Sequence, residues 1–450
     1  MRRGIAASAL VVALAVSMAA CGSGGSSSDG KADGPVTLTY WDTSNATNEA
    51  PNYQELAKKF EAANPNVKVD FVNVPFDQAQ NKLQTAMGAK GAPDVFRSEV
   101  GWTAAFAKAG YLEPLDGTPA AADSAAFQPT LIQQAKYEGK IYGVPLVTDT
   151  LGLLYNKELF TKAGITAAPK TWDELKTAAA AVKEKAGVDG FWLKAADGYY
   201  AMPFLFGEGT DTVDAAGKKI TVASPEAVKA IETYKSLFTA PGTAKADVTT
   251  DAYAHMMDAF NSGKVAAIIQ GPWEITNIYK GSAFADKTNL GIAPVPAGSA
   301  GKAGAPTGGH NISVYAGADK AHKAAAEKFA AFMTSAESQA FIAQKNSTLP
   351  TRADAFTPEV KADPGIAGFQ AVLTSAKPRP ELPEYSSLFA SLGTNLGKVV
   401  QGTGTQDGQT RSSSRRSEAA DLLREGVEQC QSPCRAPPAR AAGSAIRVRA

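Results

Sequence analysis

The sequence contains few cysteines, few histidines and no excess of charge of either sign. Only three of its 450 residues are cysteine, and none lies between residues 35 and 408, so no disulfide cross-links that stretch. None of the three histidines begins the H-E-x-x-H motif of zinc hydrolases, and no Gly-Lys pair is followed by the Ser or Thr of a phosphate-binding loop. We therefore expect neither a metal nor a cofactor. A formal net charge of +1 argues against a nucleic-acid partner.

A hydrophobic run long enough to span a membrane with confidence is also missing. The apolar stretch Ile5–Val16 is short, follows two arginines and precedes Cys21, which is the pattern of a signal peptide over residues 1–20. The small residues before Cys21 resemble the bacterial lipobox, in which the thiol is diacylated and becomes the new N-terminus. Residues 21–35 then read as a flexible tether. We expect a lipid anchor at Cys21 on the outer face of the cell membrane; the alternative is an ordinary secretory signal with a chance cysteine.

The length of the chain and the order of its predicted elements indicate two α/β domains. After a first strand at Val36–Trp41, the pattern predicts a helix at Tyr53–Ala63, a strand at Val67–Val74, a helix at Asp77–Ala89 and a strand at Asp94–Phe96. Strand–helix alternation of this kind favours a mostly parallel sheet, and ligands bind such sheets at the carboxyl ends of the strands.

The most informative single segment is Ala252–Trp273. Apolar residues at helical spacing predict a helix that ends at Gly263 in the left-handed conformation. The apolar run Val265–Ile269 is typical of a strand buried on both faces of a parallel sheet. A Gly-Pro pair ends this strand and places Trp273 at its carboxyl end, where a flat aromatic ring suits a small ligand. The alternative is that Trp273 only covers a hydrophobic core.

Six further stretches, spread in order along the chain, are similar to one protein family. They are Pro93–Phe96, Gly139–Pro145, Leu153–Phe160, Thr171–Leu175, Gly291–Ala297 and Phe332–Ser335. Together with the segment that ends at Trp273, they resemble the extracellular solute-binding proteins of ABC sugar importers, in particular the maltose/maltodextrin type.

The resemblance implies a two-lobe periplasmic-binding-protein fold of type II. In this α/β fold the ligand lies in a cleft between two lobes, which close by a hinge. The first lobe would hold residues 36–148 and 294–334, and the second lobe 150–290 and 337–408. The resemblance also implies a monomer without enzymatic activity, which captures a mono- or oligosaccharide and delivers it to the permease subunits of the transporter.

Nine residues are candidates for ligand contacts, because aromatic rings suit the apolar faces of a sugar and carboxylates suit its hydroxyls. Position after predicted strands selects Asp42, Glu99 and Trp102. The resemblance adds the acid at the lobe crossing, an acid-and-aromatic loop and the cleft aromatics: Asp149, Asp197, Tyr199, Tyr253, Trp273 and Phe389, the last where the family has tryptophan. The alternatives are helix caps or solvated loop charges for the acids, and core packing for the aromatics.

Two other classes of function stay open. Acids beside aromatics in a cleft also suit an extracellular carbohydrate-active enzyme, which needs an acid and a nucleophile. The residues themselves do not distinguish a cleft that binds a sugar from one that hydrolyses it. The resemblance favours binding, so we expect no catalytic residue. For a binding protein, a polyol or a sugar acid is the alternative solute.

The composition changes abruptly at residue 409. Eight of the 13 arginines and no lysine fall in residues 409–450, together with Cys430 and Cys434. The resemblance implies a closing amphipathic helix in this region, whereas the sequence here is rich in Arg, Ser and Pro. A shifted reading frame would explain the tail. The alternative is a natural extension whose two cysteines form a disulfide or bind a metal.

Overall fold

A computed structural model describes residues 34–89, 91–214 and 219–402. The predictions for the signal peptide, for lipidation at Cys21 and for the tail 409–450 lie outside these residues. Within the described ranges, no helix is both long enough and apolar enough to cross a membrane.

Helices and strands alternate only in the first part of the described chain, which ends in five consecutive α-helices. The strands are β1 Val36–Asp42, β2 Val67–Asn73, β3 Val95–Glu99, β4 Lys136–Tyr137, β5 Lys140–Ile141, β6 Val144–Asp149, β7 Gly152–Asn156, β8 Ala267–Gln270, β9 Leu290–Pro294 and β10 Gly308–Val314. The helices are α1 Ala50–Ala63, α2 Phe76–Met87, α3 Thr103–Lys108, α4 Pro129–Gln134, α5 Lys157–Lys162, α6 Trp172–Ala186, α7 Gly198–Gly207, α8 Pro225–Ser236, α9 Ala252–Asn261, α10 Ile275–Ile278, α11 Lys320–Met333, α12 Ala336–Asn346, α13 Pro358–Lys361, α14 Pro364–Leu373 and α15 Tyr385–Gln401.

The first sheet has five strands in the order β2-β1-β3-β10-β6. β1 is parallel to β2 and β3, whereas β10 is antiparallel to β3 and β6. Apolar side chains cover both faces of the sheet, one face against α1 and α11 and the other against α2 and α3. The strand directions bring the carboxyl ends of β1, β3 and β6 to the same edge as the amino end of β10. That edge carries Asp42, Glu99, Asp149 and His310.

The second sheet has three strands in the order β8-β7-β9. The predicted helix and buried strand are confirmed as α9 and β8, with Gly263 at φ 73° between them and every residue of β8 buried. The prediction of a parallel sheet around this strand is wrong, because β7 lies in the middle and is antiparallel to both neighbours. Leu153 and Leu154 of β7 face two different cores. Cores on both faces therefore explain the apolar run of β8 without parallel pairing.

The two sheets are connected directly where β6 leads into β7. Only Thr150 and Leu151 separate these strands, and both residues are fully buried. A second connection runs from β9 to β10. The helix α12 contributes to a third, because its Ile342 packs in a core of the first sheet and its Ala343 in a core of the second. The predicted second lobe includes residues 337–408, and with them nearly all of α12; these lobe boundaries stay a prediction.

Candidate binding site between the two sheets

Trp273 is held in place by the hydroxyl of Tyr253. The indole Nε1 donates a hydrogen bond of 2.9 Å to Tyr253 Oη, and Gln270 Nε2 donates to the same oxygen over 3.2 Å. Tyr253 Oη in turn donates to Glu274 Oε1 over 2.8 Å. The second carboxylate oxygen of Glu274 accepts from Asn277 over 3.0 Å. A saturated network of this kind fixes the position of the partly exposed indole ring.

The backbone under Trp273 has to be glycine. A Cβ added at Gly271 would lie 1.9 Å from Cζ3 of the indole and 2.2 Å from Cη2, far inside contact distance. The ring therefore rests directly on the backbone that follows β8. We call the four residues Tyr253, Gln270, Trp273 and Glu274 the second wall of the candidate site.

A lysine that the sequence analysis missed lies beside this wall. Lys194 Nζ is 5.2 Å from the ring centroid of Tyr253 and 5.3 Å from that of Tyr200, within the range of a cation–π contact. It also forms an ion pair of 2.7 Å with Asp197 Oδ2. The other oxygen of Asp197 accepts from the backbone N–H of Tyr199 over 2.8 Å and so caps α7. Both oxygens of Asp197 are thus engaged within the protein, as the helix-cap alternative requires.

Asp149 and Tyr199 join the two sheets at the base of the candidate site. Tyr199 Oη donates to Asp149 Oδ1 over 3.1 Å, which links α7 to the end of β6. Gly308 makes this approach possible, since a Cβ at that position would lie 2.0 Å from Asp149 Oδ1 and 2.5 Å from Tyr199 Oη. Burial raises the pKa of Asp149 to about 7; the guanidinium of Arg379 opposes the rise, and the Glu99 carboxylate adds to it.

A second link between the sheets is the ion pair of Glu99 and Arg379. Arg379 Nη2 donates to Glu99 Oε1, and both side chains are nearly buried, at 6% and 13% exposure for arginine and glutamate. Arg379 Nε also donates to the backbone carbonyl of Thr307 over 3.1 Å. The guanidinium carbon lies 5.8 Å from the ring centroid of Tyr199 and 5.9 Å from that of Phe389. Four predicted residues therefore meet around one arginine that was not predicted: Glu99, Asp149, Tyr199 and Phe389.

Arginine is rare between residues 35 and 402, so the position of each arginine there is informative about buried ion pairs. Residues 35–402 contain only Arg97, Arg352 and Arg379. Arg97 and Arg352 are 3% and 7% exposed, and the Arg379 side chain is 6% exposed. Because a buried guanidinium needs specific partners, a scarce arginine surrounded by prolines, as Arg379 is, would have pointed to this contact.

A group of rings lies at the edge of the first sheet. Trp102 is only 6% exposed, and its ring is stacked on that of Phe76, with centroids 5.6 Å apart and planes at 18°. Phe76, at the start of α2, is 50% exposed. The edge of the same ring meets His310, at 5.7 Å between centroids. We call Phe76, Trp102 and His310 the first wall; of these residues only Trp102 was predicted.

Charges on the first sheet interact with the second wall. Burial raises the pKa of Glu49, which precedes α1 on the first sheet, and the Glu274 carboxylate of the second wall contributes to the rise. Lys108 of α3 also forms an ion pair of 2.9 Å with Glu384, at the start of α15. Charged groups on the two sides of the candidate site therefore lie within electrostatic reach of one another.

Asp42 is the predicted residue that the structure does not bring to the candidate site. The residue is 0% exposed, and its carboxylate accepts hydrogen bonds from Tyr40 Oη and the Ser44 N–H, both at 3.0 Å. Asn73 Nδ2 lies 3.3 Å from the same carboxylate. These contacts occupy its oxygens with neighbours from β1 and β2, so the carboxylate stabilises the loop after β1.

The site offers aromatic faces, four carboxylates, one lysine and one arginine, and the chemistry available to it is hydrogen bonding and stacking. Among the described residues, no three His, Cys, Asp or Glu side chains are grouped as metal ligands. An uncharged, hydroxyl-rich ligand suits this set of groups best, because rings contact its apolar faces while charged groups pair with its hydroxyls.

Comparison with known proteins identifies relatives over nearly the whole chain. A solved structure of the GacH receptor of Streptomyces glaucescens, studied unliganded and with acarbose, has 42% identity and a TM-score of 0.81 over 88% of this chain and 98% of its own. The diacetylchitobiose binding protein DasA of Streptomyces coelicolor is 30% identical over 90% of this chain and 96% of its own. A putative binding protein of Brucella abortus is 30% identical over 86% and 93% of the two chains.

The relatives confirm the two-lobe binding-protein fold that the sequence predicted. The family described as bacterial extracellular solute-binding protein matches residues 45–340, well over half of the chain. The protein therefore belongs to the bacterial extracellular solute-binding proteins.

Proposed function

We propose that the protein captures an oligosaccharide of the maltodextrin class between its two walls and delivers it to the permease of an ABC importer. The observation that carries the proposal is the indole of Trp273, fixed by Tyr253 and Gly271 at the carboxyl end of β8. A ring held in this way stacks on a pyranose without losing freedom on binding, and preorganisation of this kind raises affinity.

The relatives support the sugar class of the ligand. GacH, at 42% identity, was studied with acarbose and compared with an acarbose-loaded maltose binding protein. DasA is named for a different disaccharide, diacetylchitobiose. The family consists of solute-binding proteins, so we expect binding without turnover.

The sequence before the described residues supports a lipid anchor. Cys21 follows small residues at the end of the apolar N-terminal stretch, and a Gly- and Ser-rich tether leads to β1. Attachment at Cys21 would keep the binding protein beside the permease on the outer face of the membrane. Release of a Cys21→Ser variant into the medium, with the wild type retained in the membrane fraction, would support the anchor.

The experiment that tests the ligand class is a titration followed by tryptophan fluorescence. The five tryptophans, at 41, 102, 172, 192 and 273, all lie in the described part of the chain. Mature protein is titrated with maltose, maltotriose, acarbose, diacetylchitobiose and a polyol. We expect saturable binding of an α-glucan without any product.

Trp273→Ala should weaken that binding by at least about 30-fold, roughly 2 kcal/mol, the usual contribution of a buried aromatic anchor. Trp273→Phe keeps a flat ring and is the matched control, for which we expect a smaller loss. A folded wild-type protein that binds none of the sugars, or one that hydrolyses them, would contradict the proposal.

A further inference from the structure

His310 has two ring nitrogens that find no partner in the protein. Both Nδ1 and Nε2 are buried, and neither forms a hydrogen bond to any residue in 34–89, 91–214 or 219–402. The other two histidines differ: His255 and His322 each bond a neighbouring aspartate on the surface, at 2.8 and 2.9 Å. Buried polar atoms in folded proteins are nearly always hydrogen-bonded. The two ring nitrogens of His310 therefore need hydrogen-bond partners from outside the described residues.

The backbone of β10 is irregular at His310. The residue lies on β10 opposite Glu99 of β3, at the sheet edge that carries the candidate site. The pairing of β10 with β6 shifts register between His310 and Asn311. Such bulges bend a strand locally and change the direction of a side chain, and they are frequent beside binding sites.

The surroundings of the ring define which ligand group it would accept. Phe76 lies against it edge-on, and burial together with the nearby guanidiniums of Arg97 and Arg379 holds the pKa of His310 well below its usual range. The imidazole is therefore neutral at physiological pH and presents one N–H donor and one acceptor nitrogen. A hydroxyl both donates and accepts, so neighbouring hydroxyls of a sugar satisfy both nitrogens. A cation is disfavoured, because the two arginines repel it.

We propose that His310, in the first wall, contacts the sugar directly. One ring nitrogen accepts a hydrogen bond from one ligand hydroxyl, and the N–H of the other donates a hydrogen bond to a second ligand hydroxyl. The proposal rests on the proposed function, since it assigns a contact within the same site. It gives the first wall a polar recognition group beside the exposed ring of Phe76, so that both walls hold the ligand.

Two measurements test the contact. The first is the affinity of the His310→Phe variant for the sugar that the wild-type protein binds in the fluorescence titration. Phenylalanine keeps a ring of similar size but has neither nitrogen. We expect the dissociation constant to rise at least tenfold with the midpoint of thermal unfolding unchanged or higher. His310→Gln retains a donor and an acceptor, so a smaller loss is expected. His322→Phe, on the exposed face of α11, is the matched control and should bind like the wild type.

The second measurement is the ¹⁵N NMR spectrum of the imidazoles in an untagged chain, where three histidines give three sets of signals. Saturating sugar should shift both nitrogens of His310 and leave those of His255 and His322 in place. If the wild type binds the sugar while His310 keeps its chemical shifts and His310→Phe keeps its affinity, this inference is wrong and the proposed function stands. If the folded wild type binds no sugar, both are wrong.

Discussion

The two walls of the site differ in how their polar atoms are satisfied. In the second wall, Trp273, Gln270 and Glu274 all bond to the hydroxyl of Tyr253. In the first wall, half of the Phe76 ring is exposed and both nitrogens of His310 are unpartnered among the described residues. A saturated network fixes geometry in advance, whereas unpartnered groups gain their hydrogen bonds only when a ligand arrives. We infer that one wall orients the ligand and the other is completed by it.

The largest effect on stability should come from breaking the ion pair of Glu99 and Arg379. Arg379→Met leaves the nearly buried carboxylate of Glu99 without its partner, and loss of one member of a buried pair costs about 3–5 kcal/mol of unfolding free energy. Urea unfolding measures this loss as a lower midpoint. The double variant Glu99→Gln/Arg379→Met leaves no buried charge unpaired and should recover part of it. A single variant as stable as the wild type would show that the pair does not stabilise the folded protein.

The next effect concerns Asp149, whose pKa burial raises to about 7. In the unfolded chain the pKa of an aspartate is about 3.9, so the folded state retains a proton that the unfolded state has lost. The contribution of Asp149 to the unfolding free energy is therefore fully present below about pH 4 and is lost as the pH rises through 7. Asp149→Asn should be more stable than the wild type by about 2–4 kcal/mol at pH 8, and the difference should vanish near pH 4.

The matched control for this variant is Asp70→Asn, a change of an exposed acid on β2. Urea unfolding of both variants at pH 4, 6 and 8 separates the effect of burial from that of lost charge. A stability difference for Asp149→Asn that does not change with pH would show that the pKa of its carboxyl is the same in the folded and unfolded chain.

The smallest effect should come from a change under the second wall, at Gly271, and it tests whether this wall is preorganised. Gly271→Ala places a methyl group inside the indole of Trp273 and forces the ring away from its position. We expect about a tenfold loss of sugar affinity, roughly 1.4 kcal/mol, with a smaller change in thermal stability because the ring is partly exposed. Gly34→Ala, where an added Cβ meets nothing within 4 Å, is the control. Unchanged affinity would mean that the second wall is not preorganised.

Local sequence carried much of the fold and part of the site. The apolar spacing of α9, the glycine at its end and the Gly-Pro pair after β8 are all encoded within one short segment, so the position of Trp273 was predictable. The antiparallel pairing of β8 was not, because burial of both faces produces the same apolar run in either kind of sheet.

The missed residues depend on contacts between distant parts of the chain. Arg379 pairs with Glu99 across 280 positions, and no local pattern records that distance. Phe76 and His310 meet only because α2 and β10 pack at one sheet edge. Asp42 shows the converse case: its position after a strand is typical of a ligand contact, yet side chains from β1 and β2 occupy its carboxylate. Its role towards a ligand, like those of the other eight candidates, stays a prediction.

The short link between β6 and β7 limits how the molecule can move. Two fully buried residues, Thr150 and Leu151, cannot lengthen and are held on all sides by the protein. Three peptide steps from Asp149 to Gly152 span at most about 11 Å, so the link keeps the ends of β6 and β7 close together at any angle between the two sheets. Asp149, the residue that ends β6, lies at this link. A change of angle between the sheets would therefore displace Asp149 little relative to the start of β7.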